Sequence, residues 1–304
     1  MGSEPVPLDS VATVAALRKR VSAWREAGET VALVPTMGAL HDAHLTLIAE
    51  AQARCDRTVV SIFVNPKQFG PGEDFTRYPR PIETDVAALR AANVDLLYAP
   101  TVEEMYPPGD NTTVSVRGPL TAGLCAAARP GHFDGVATVC TRLFLQCLPD
   151  IAMFGEKDYQ QLLMIRRMVA DLAIPVEIVA VETVREEGGL ALSSRNAYLS
   201  AEDRKKAARI NLILADVAAA VADGGDIATE IGRGLAALAK AGIDDVDYLE
   251  IRDAETLEPV TTLVRPARVF VAVRLNGTRL IDNRPVETFA TRTVPLRSVT
   301  RKAS

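Results

Sequence analysis

The side chains in this 304-residue chain that are best suited to chemistry lie in a few short segments, and all three histidines belong to them. His41 and His44 are three residues apart, so on a helix their imidazoles share one face and can bind the same anion. Gly38 precedes them and permits close approach of the backbone, while the free N–H groups at a helix start favour phosphate. Two histidines at this spacing also suit a capping or surface role, so the pair alone leaves both interpretations open.

A second cationic segment spans residues 154–161, where Gly155 marks a strand-to-helix turn and Lys157 stands near the helix start. Lysine as a simple surface charge favours helix C-termini, so Lys157 at an N-terminus is better explained as a point charge directed at phosphates. Ser193, Ser194 and Arg195 offer two hydroxyls and a guanidinium in succession. They suit either a phosphate clamp or the cap of the next helix.

Polar groups suited to a different ligand lie in two further segments. Gln68 follows a buried run at 58–65, and its amide can both donate to and accept from a hydroxy acid, although the segment also fits a plain polar loop. Arg129 and His132 precede a predicted helix and add a cation and an imidazole. Asp85 lies on a predicted helix, where a lone carboxylate is usually solvated but can also hold a metal ion.

The elements that must position these side chains alternate between strand and helix. Strands are predicted at 30–36, 58–65, 95–100, 150–154 and 175–181, with helices at 10–27, 42–54, 82–92, 134–148 and 157–172. Such alternation indicates βαβ units and an α/β, Rossmann-like parallel sheet, whose strand ends collect ligands. Two Ala-rich helices at 201–222 and 226–241 and three strands then predict a smaller α+β domain. We place the domains at residues 1–184 and 185–304.

Composition narrows the class of protein. A net charge of −5 without a run of basic residues argues against a nucleic-acid partner. No apolar run approaches the length of a membrane span, and the first ten residues lack the pattern of a signal peptide. The four cysteines form no CxxC pair or zinc spacing, so we expect reduced thiols. These features predict a cytoplasmic protein that binds neither membrane nor nucleic acid, and they do not exclude a small phosphate-bearing ligand.

The segments together resemble a known family. The stretch PTMGALHDAH at 35–44 is similar to the His-x-Gly-His motif of the nucleotidylyltransferase-like superfamily, and FGEKDYQQ at 154–161 resembles the pantothenate synthetase (pantoate–β-alanine ligase) family within it. RPGHF at 129–133 and SSRN at 193–196 resemble that family as well. The resemblance implies that pantoate and ATP form pantoyl adenylate and pyrophosphate, and that β-alanine then displaces AMP to give pantothenate. It also implies Mg²⁺ as cofactor and a homodimer.

The family's site residues carry over to matching positions. The implied catalytic residues are His44, His41, Lys157 and Arg195. The implied ATP-binding residues are Met37, Gly38, His41, His44, Gly155, Glu156, Lys157, Asp158, Val184, Leu192, Ser193, Ser194 and Arg195. Gln68 and Gln161 are implied to bind the substrates pantoate and β-alanine, and Asp85 is the candidate metal ligand. The position of Ser193–Arg195 beyond the predicted domain boundary suggests that the second domain acts as a lid over ATP.

Two departures from the family pattern bear on activity. Ala43 replaces the usual glycine between the histidines, and Cys125 replaces a usual glutamate. We expect Ala43 to weaken or adjust ATP binding. Three alternatives stay open on the sequence: another nucleotidylyltransferase-type enzyme such as a cytidylyltransferase, a tRNA synthetase, or a nucleotide-binding regulator without catalysis. The first would lack the FGEKDYQQ segment and the two glutamines, and the second would need a tRNA-binding surface.

Overall fold

The computed structural model describes residues 8–287, and its contacts divide the chain into two compact units, Met1–Arg204 and Lys205–Ser304. Of the first ten residues, in which the sequence analysis found no signal-peptide pattern, residues 1–7 lie outside the described range. The division falls later in the chain than the predicted boundary between residues 184 and 185. The Ser193–Arg195 segment therefore belongs to the same unit as the sheet.

The first unit is built on a six-stranded, all-parallel sheet, which confirms the predicted Rossmann-like class. Its strands are β1 (Asp9–Val11), β2 (Val31–Thr36), β3 (Arg57–Ile62), β4 (Leu96–Tyr98), β5 (Ile151–Gly155) and β6 (Glu177–Val181). Their order is β1-β4-β3-β2-β5-β6, so the chain leaves β2 for β3 on one side while β5 lies on the other. Such a switch point opens a crevice at the carboxyl ends of the central strands.

The central strands are apolar because helices cover both faces of the sheet. Residues Val31, Ala32, Leu33 and Val34 of β2 are all fully buried. A continuous apolar run of this kind is the pattern of a parallel strand with two covered faces, rather than the alternating pattern of a half-exposed one.

The helices of the first unit connect these strands. They are α1 (Val14–Glu26), α2 (Asp42–Gln52), α3 (Ile82–Ala91), α4 (Val102–Met105), α5 (Cys125–Ala128), α6 (His132–Cys147) and α7 (Tyr159–Asp171). The predicted helix at 10–27 was too long at its start. Residues of β1 pair with β4 instead, and Thr13 then caps α1 by accepting from the Ala16 N–H at 3.2 Å.

The second unit combines two helices with a three-stranded sheet, as the sequence predicted, and the strands of that sheet pair antiparallel. Helix α8 (Ala201–Ala222) begins just before the division, and α9 (Ile227–Lys240) follows. Strands β7 (Asp245–Asp253), β8 (Ala267–Leu275) and β9 (Thr278–Val286) pair in sequence order. Both turn residues between β8 and β9, Asn276 and Gly277, have positive φ angles of 46° and 78°, as a tight hairpin turn requires.

Two further expectations concern the thiols and the membrane. None of the four cysteines forms a disulfide, and burial raises the pKa of Cys140 and Cys147 to about 12. Across residues 8–287, every helix is too short or too polar to cross a bilayer.

Candidate active site

The turn between β2 and α2 brings the histidine pair to the edge of the sheet. The Gly38 N–H donates to Thr36 Oγ1 at 3.1 Å, and Gly38 and Ala39 both adopt positive φ angles, 79° and 51°. The buried carboxylate of Asp85 accepts from the Ala39 N–H at 2.9 Å and from the Leu40 N–H at 2.8 Å. Asp85 therefore holds a strained turn in place immediately before α2.

The two imidazoles lie against each other at the start of α2. Their ring centroids are 4.1 Å apart, and the backbone N–H of His41 donates to Nδ1 of His44 at 3.3 Å. The proton of neutral His44 is therefore assigned to Nε2, which can donate to a ligand. Burial, with the charges of His41 and Lys157 adding to it, lowers the pKa of His44 to about 3. Burial and then Lys157 also lower the pKa of His41, so both rings act as neutral donors near pH 7.

Gln68 is held by a buried asparagine that sequence reasoning did not include among the site residues. Asn65 Nδ2 donates to Gln68 Oε1 at 3.0 Å and to the Gly135 carbonyl at 3.1 Å. The hydroxyl of Tyr106 donates to Asn65 Oδ1 at 2.8 Å. Because the Gln68 oxygen is already engaged, its amide nitrogen is directed at Met37 Sδ, 3.1 Å away. Gln68 thus offers N–H groups to a ligand.

The consecutive glutamines after β5 have different surroundings. Gln161 lines the cavity at the carboxyl ends of the strands. Gln160 points away from it, because its Nε2 donates to the carbonyls of Leu120 and Gly123, and its Oε1 accepts from the Cys125 N–H at 3.0 Å. Cys125, the departure from the family's glutamate, is buried and does not line the cavity.

Arg195 is oriented by a carboxylate. Its Nε and Nη2 both donate to Asp74, each at 2.9 Å. Beside it, the Ser194 hydroxyl lies 2.9 Å from the Tyr78 hydroxyl, and Ser193 Oγ accepts from the Arg195 N–H at 3.3 Å. Desolvation of Arg195 works against its charge, but the bonds and charge of Asp74 prevail and raise the pKa of the guanidinium. These contacts tie the Ser193–Arg195 segment to the loop after β3.

A second arginine is oriented in a similar way. Arg129 Nε and Nη2 donate to Glu73 at 2.7 and 2.6 Å, and Nη2 also donates to the Gln68 carbonyl at 3.2 Å. Its Nη1 lies 3.0 Å from His132 Nε2, while His132 Nδ1 lies 2.9 Å from the Gln68 carbonyl. Burial and the charge of Arg129 lower the pKa of His132 to about 4. His132 is therefore a neutral bridge, with the Nδ1 proton donated to the carbonyl.

One cavity of about 240 Å³ collects most of the predicted site residues. Thirteen of them line it: Met37, His41, His44, Gln68, Gly155, Lys157, Asp158, Gln161, Val184, Leu192, Ser193, Ser194 and Arg195. Gly38, Glu156 and Asp85 are not in the lining. Asp85 was predicted as a metal ligand, but both of its oxygens accept from the backbone, which favours a structural role.

Several lining residues were not among the predicted site residues. Arg129, His132, Tyr78 and Asn65 add polar groups, and Val136, Val139 and Leu143 of α6 form an apolar wall. The motif resemblance at RPGHF indicated Arg129 and His132 as candidates. Asn65 gave no separate signal, since its role depends on contacts with Tyr106 and Gly135 that are distant in sequence.

Comparison with known proteins agrees with this geometry. The family model described as pantoate-beta-alanine ligase matches residues 9–285. A pantothenate synthetase from Paramagnetospirillum magneticum is 56% identical over 91% of this chain and 97% of its own length. The crystal structure of pantothenate synthetase from Thermus thermophilus superposes with a TM-score of 0.87 at 53% identity, covering 92% of this chain and 99% of that one.

A third relative was solved with ligands. The pantoate-beta-alanine ligase of Francisella tularensis, in complex with beta-gamma ATP and beta-alanine, has a TM-score of 0.79 at 30% identity over 92% of this chain and 98% of its own. Agreement over most of the chain sets aside the cytidylyltransferase, the tRNA synthetase and the non-catalytic regulator. The chain belongs to the pantoate–β-alanine ligase family, whose members join the two substrates at the expense of ATP.

Proposed function

We propose that the cavity binds ATP beside pantoate and catalyses both half-reactions of the family at one place. The pantoate carboxylate attacks the α-phosphorus of ATP, and pyrophosphate leaves. The β-alanine amine then attacks the acyl carbon of pantoyl adenylate, and AMP leaves. The observation that carries this proposal is that groups suited to phosphate and groups suited to a hydroxy acid line a single cavity at the ends of β2, β3, β5 and β6.

His44, His41 and Lys157 form the phosphate side of the site. The two neutral imidazoles donate N–H groups, and Lys157, close enough to influence their pKa values, adds a positive charge. Attack at phosphorus builds negative charge on the phosphate oxygens, and donors fixed in advance stabilise that charge more than they stabilise the ground state. Ser193, Ser194 and Arg195 act on the phosphates from a second loop. The predicted ATP residues that form the walls are Met37, Gly155, Asp158, Val184 and Leu192.

Gln68 and Gln161 form the acid side of the site. The N–H groups of Gln68 are directed by Asn65 and suit the carboxylate or hydroxyl oxygens of pantoate. Val139 and Leu143 present an apolar wall that fits the branched, methyl-bearing part of the same molecule. Holding the acid in line with the phosphorus converts an encounter of two molecules into a reaction within one complex.

Mg²⁺ fits this site as an ion held largely by the nucleotide. Within residues 8–287, no group of three or more His, Cys, Asp or Glu side chains could hold a metal by itself. Mg²⁺ commonly takes only one or two carboxylates and otherwise binds substrate phosphates and water. Asp158 is the lining carboxylate beside Lys157, with its Oδ1 3.7 Å from Nζ, and would be the protein ligand. Bound there, Mg²⁺ would neutralise charge on the departing pyrophosphate.

Pantoate-dependent exchange of labelled pyrophosphate into ATP tests the proposal directly. We expect His44→Ala to reduce exchange by at least about a hundred-fold, the usual cost of removing a donor to developing charge. Glu50→Gln is the matched control, because Glu50 lies on the same helix with its side chain 45% exposed, and it should retain normal exchange. Near-normal exchange in His44→Ala, exchange without pantoate, or ADP as product would contradict the proposal.

Three further expectations stay predictions that other measurements can test. The family resemblance supports a homodimer, which light scattering on the purified protein would detect as twice the mass of 32.7 kDa. Fractionation of the source cells would test the cytoplasmic location. The predicted lid role of residues 185–304 loses the support of Ser193–Arg195, which belong to the first unit. Small-angle scattering with and without ATP would test whether the second unit closes.

A further inference from the structure

Two consecutive carboxylates, Glu73 and Asp74, each hold one of the two arginines that line the cavity. Asp74 accepts from Nε and Nη2 of Arg195, and Glu73 accepts from Nε and Nη2 of Arg129. Both pairs are largely sheltered, since the four side chains are only 14–25% exposed. Paired hydrogen bonds of this kind fix the plane of a guanidinium as well as its position.

The backbone explains how neighbouring residues reach two separate arginines. Glu73 is extended, with φ −75° and ψ 172°, and it precedes the short 3-10 turn Asp74–Thr76. Successive side chains of extended backbone point in different directions. Arg129 lies just before α6, whereas Arg195 lies in the turn Ser194–Tyr198. One turn of the loop after β3 therefore connects two segments that are far apart in sequence.

Each carboxylate leaves part of its arginine available to a ligand. Asp74 engages Arg195 through Nε and Nη2, and among residues 8–287 no partner is found for Nη1. One Nη1–H group of Arg129 donates a hydrogen bond to His132 Nε2, and the second Nη1–H group remains available to a ligand. Both arginines line the cavity, so the carboxylates act through them and not by touching substrate.

We propose that Glu73 and Asp74 are positioning residues with separate targets, Asp74 directing Arg195 at ATP and Glu73 directing Arg129 at the carboxylate substrates. Arg129 lies on the acid side of the site, because it donates to the carbonyl of Gln68. The nucleotide half of the inference rests on the proposed role of Arg195 in phosphate binding. The acid half rests on the position of Arg129 beside Gln68.

The test compares two isosteric substitutions in one turn, so that each serves as control for the other. We expect Asp74→Asn to raise the KM for ATP on the order of ten-fold, with the KM for pantoate and β-alanine changed less than about two-fold. Glu73→Gln should raise the KM for pantoate or β-alanine by a similar factor and leave that for ATP unchanged. A hydrogen bond to a charged group has this order of effect. Glu83→Gln, an exposed carboxylate on α3, should leave all three constants unchanged.

A merely structural turn would give a different result, because both substitutions would then loosen the same loop. Parallel changes in the same KM values, or no change in any, would overturn the inference. Should either variant fold poorly, Asp74→Glu and Glu73→Asp keep the charge, and binding of an unreactive ATP analogue and of pantoate by calorimetry should show the same separation.

Arg195→Lys separates this inference from the function on which it rests. If that variant raises the KM for ATP and Asp74→Asn does not, the positioning role of Asp74 is wrong while the role of Arg195 stands. If Arg195→Lys itself leaves the KM for ATP unchanged, the nucleotide role of Arg195 is wrong.

Discussion

Acid should destabilise the first unit, because the folded unit buries histidines in their neutral form. Burial and the charge of Arg129 lower the pKa of His132 to about 4 from an ordinary value of 6.5, and His44 is lowered to about 3. Below pH 6.5 the unfolded chain therefore binds more protons than the folded one. The free energy of unfolding must then fall as the pH falls through this range.

The size of the effect follows from the two pKa values. At pH 5 an unfolded imidazole is almost fully protonated, whereas His132 and His44 in the folded unit remain mostly neutral. Linkage then gives a loss of about 2 kcal/mol for each histidine between pH 8 and pH 5, or about 4 kcal/mol for both. Ordinary carboxylates titrate mainly below pH 5, so they contribute little in this window.

Urea unfolding at several pH values measures this loss, and the single tryptophan, Trp24 in α1, reports on the first unit. His132→Gln removes one titrating group, so the decrease in unfolding free energy from pH 8 to pH 5 should be about 2 kcal/mol smaller than in the unsubstituted protein. Ile165→Val is the matched control, since it is fully buried and should cost about 1 kcal/mol at both pH values. Equal decreases in His132→Gln and the unsubstituted protein would refute the argument that burial keeps His132 neutral.

Three other substitutions test the geometry of the site. A Cβ on Gly135 would lie 2.2 Å from the Lys67 carbonyl oxygen, so Gly135→Ala should displace the turn bearing Gln68. The KM for pantoate should then rise at least about ten-fold, the order expected for a misplaced binding group. An unchanged KM would contradict this expectation. Asp85→Asn should lower the melting temperature and the rate of pyrophosphate exchange, but it should leave unchanged the Mg²⁺ concentration that gives half-maximal rate. A change in that Mg²⁺ concentration would instead indicate that Asp85 is a metal ligand. Ala43→Gly should lower the KM for ATP by removing a methyl group from the cavity wall, and a raised KM would show that this methyl group aids binding.

The sheet was predictable because its signal is local and repeated. The buried run of β2, the alternation of strands with helices, and the long Ala-rich helices are all visible within windows of ten to twenty residues. The three residues of β1 and the four each of α4 and α5 were missed, because elements this short span little more than one period and the pattern is not repeated. They form through tertiary contacts, as in the pairing of Asp9–Val11 with β4.

The late division between the units has a similar cause. The amino-acid composition changes just after residue 184, where two acidic residues and two glycines precede the Ser-Ser-Arg-Asn segment, and this change suggested a new domain. In the structure this stretch bonds within the first unit, through Ser194 to Tyr78 and through Arg195 to Asp74, partners that are 116 and 121 residues away. Composition changes where the sheet ends, but the contacts change only inside α8.

Sequence reasoning could select side chains whose own chemistry suits a ligand, and it missed those that act through other side chains. Gln68 could be selected because an amide at a strand end is itself suited to an acid. Asn65 and Tyr106, which fix the orientation of that amide, have no such signal, and Tyr106 bonds to Asn65 across 41 residues. The same distinction applies to Glu73 and Asp74, whose roles depend entirely on the arginines that they contact.

Asp85 shows why a residue type and an approximate location are insufficient to assign a ligand. A carboxylate near a phosphate site suggested a metal, and Asp85 does lie close to the turn that leads to the histidines. Two N–H groups of that turn, on Ala39 and Leu40, already occupy its oxygens at 2.9 and 2.8 Å. A metal ion bound there would have to displace both bonds and release a turn in which Ala39 has a positive φ. We therefore expect Asp85 to act indirectly, by fixing where α2 begins and hence where His44 points its Nε2 proton.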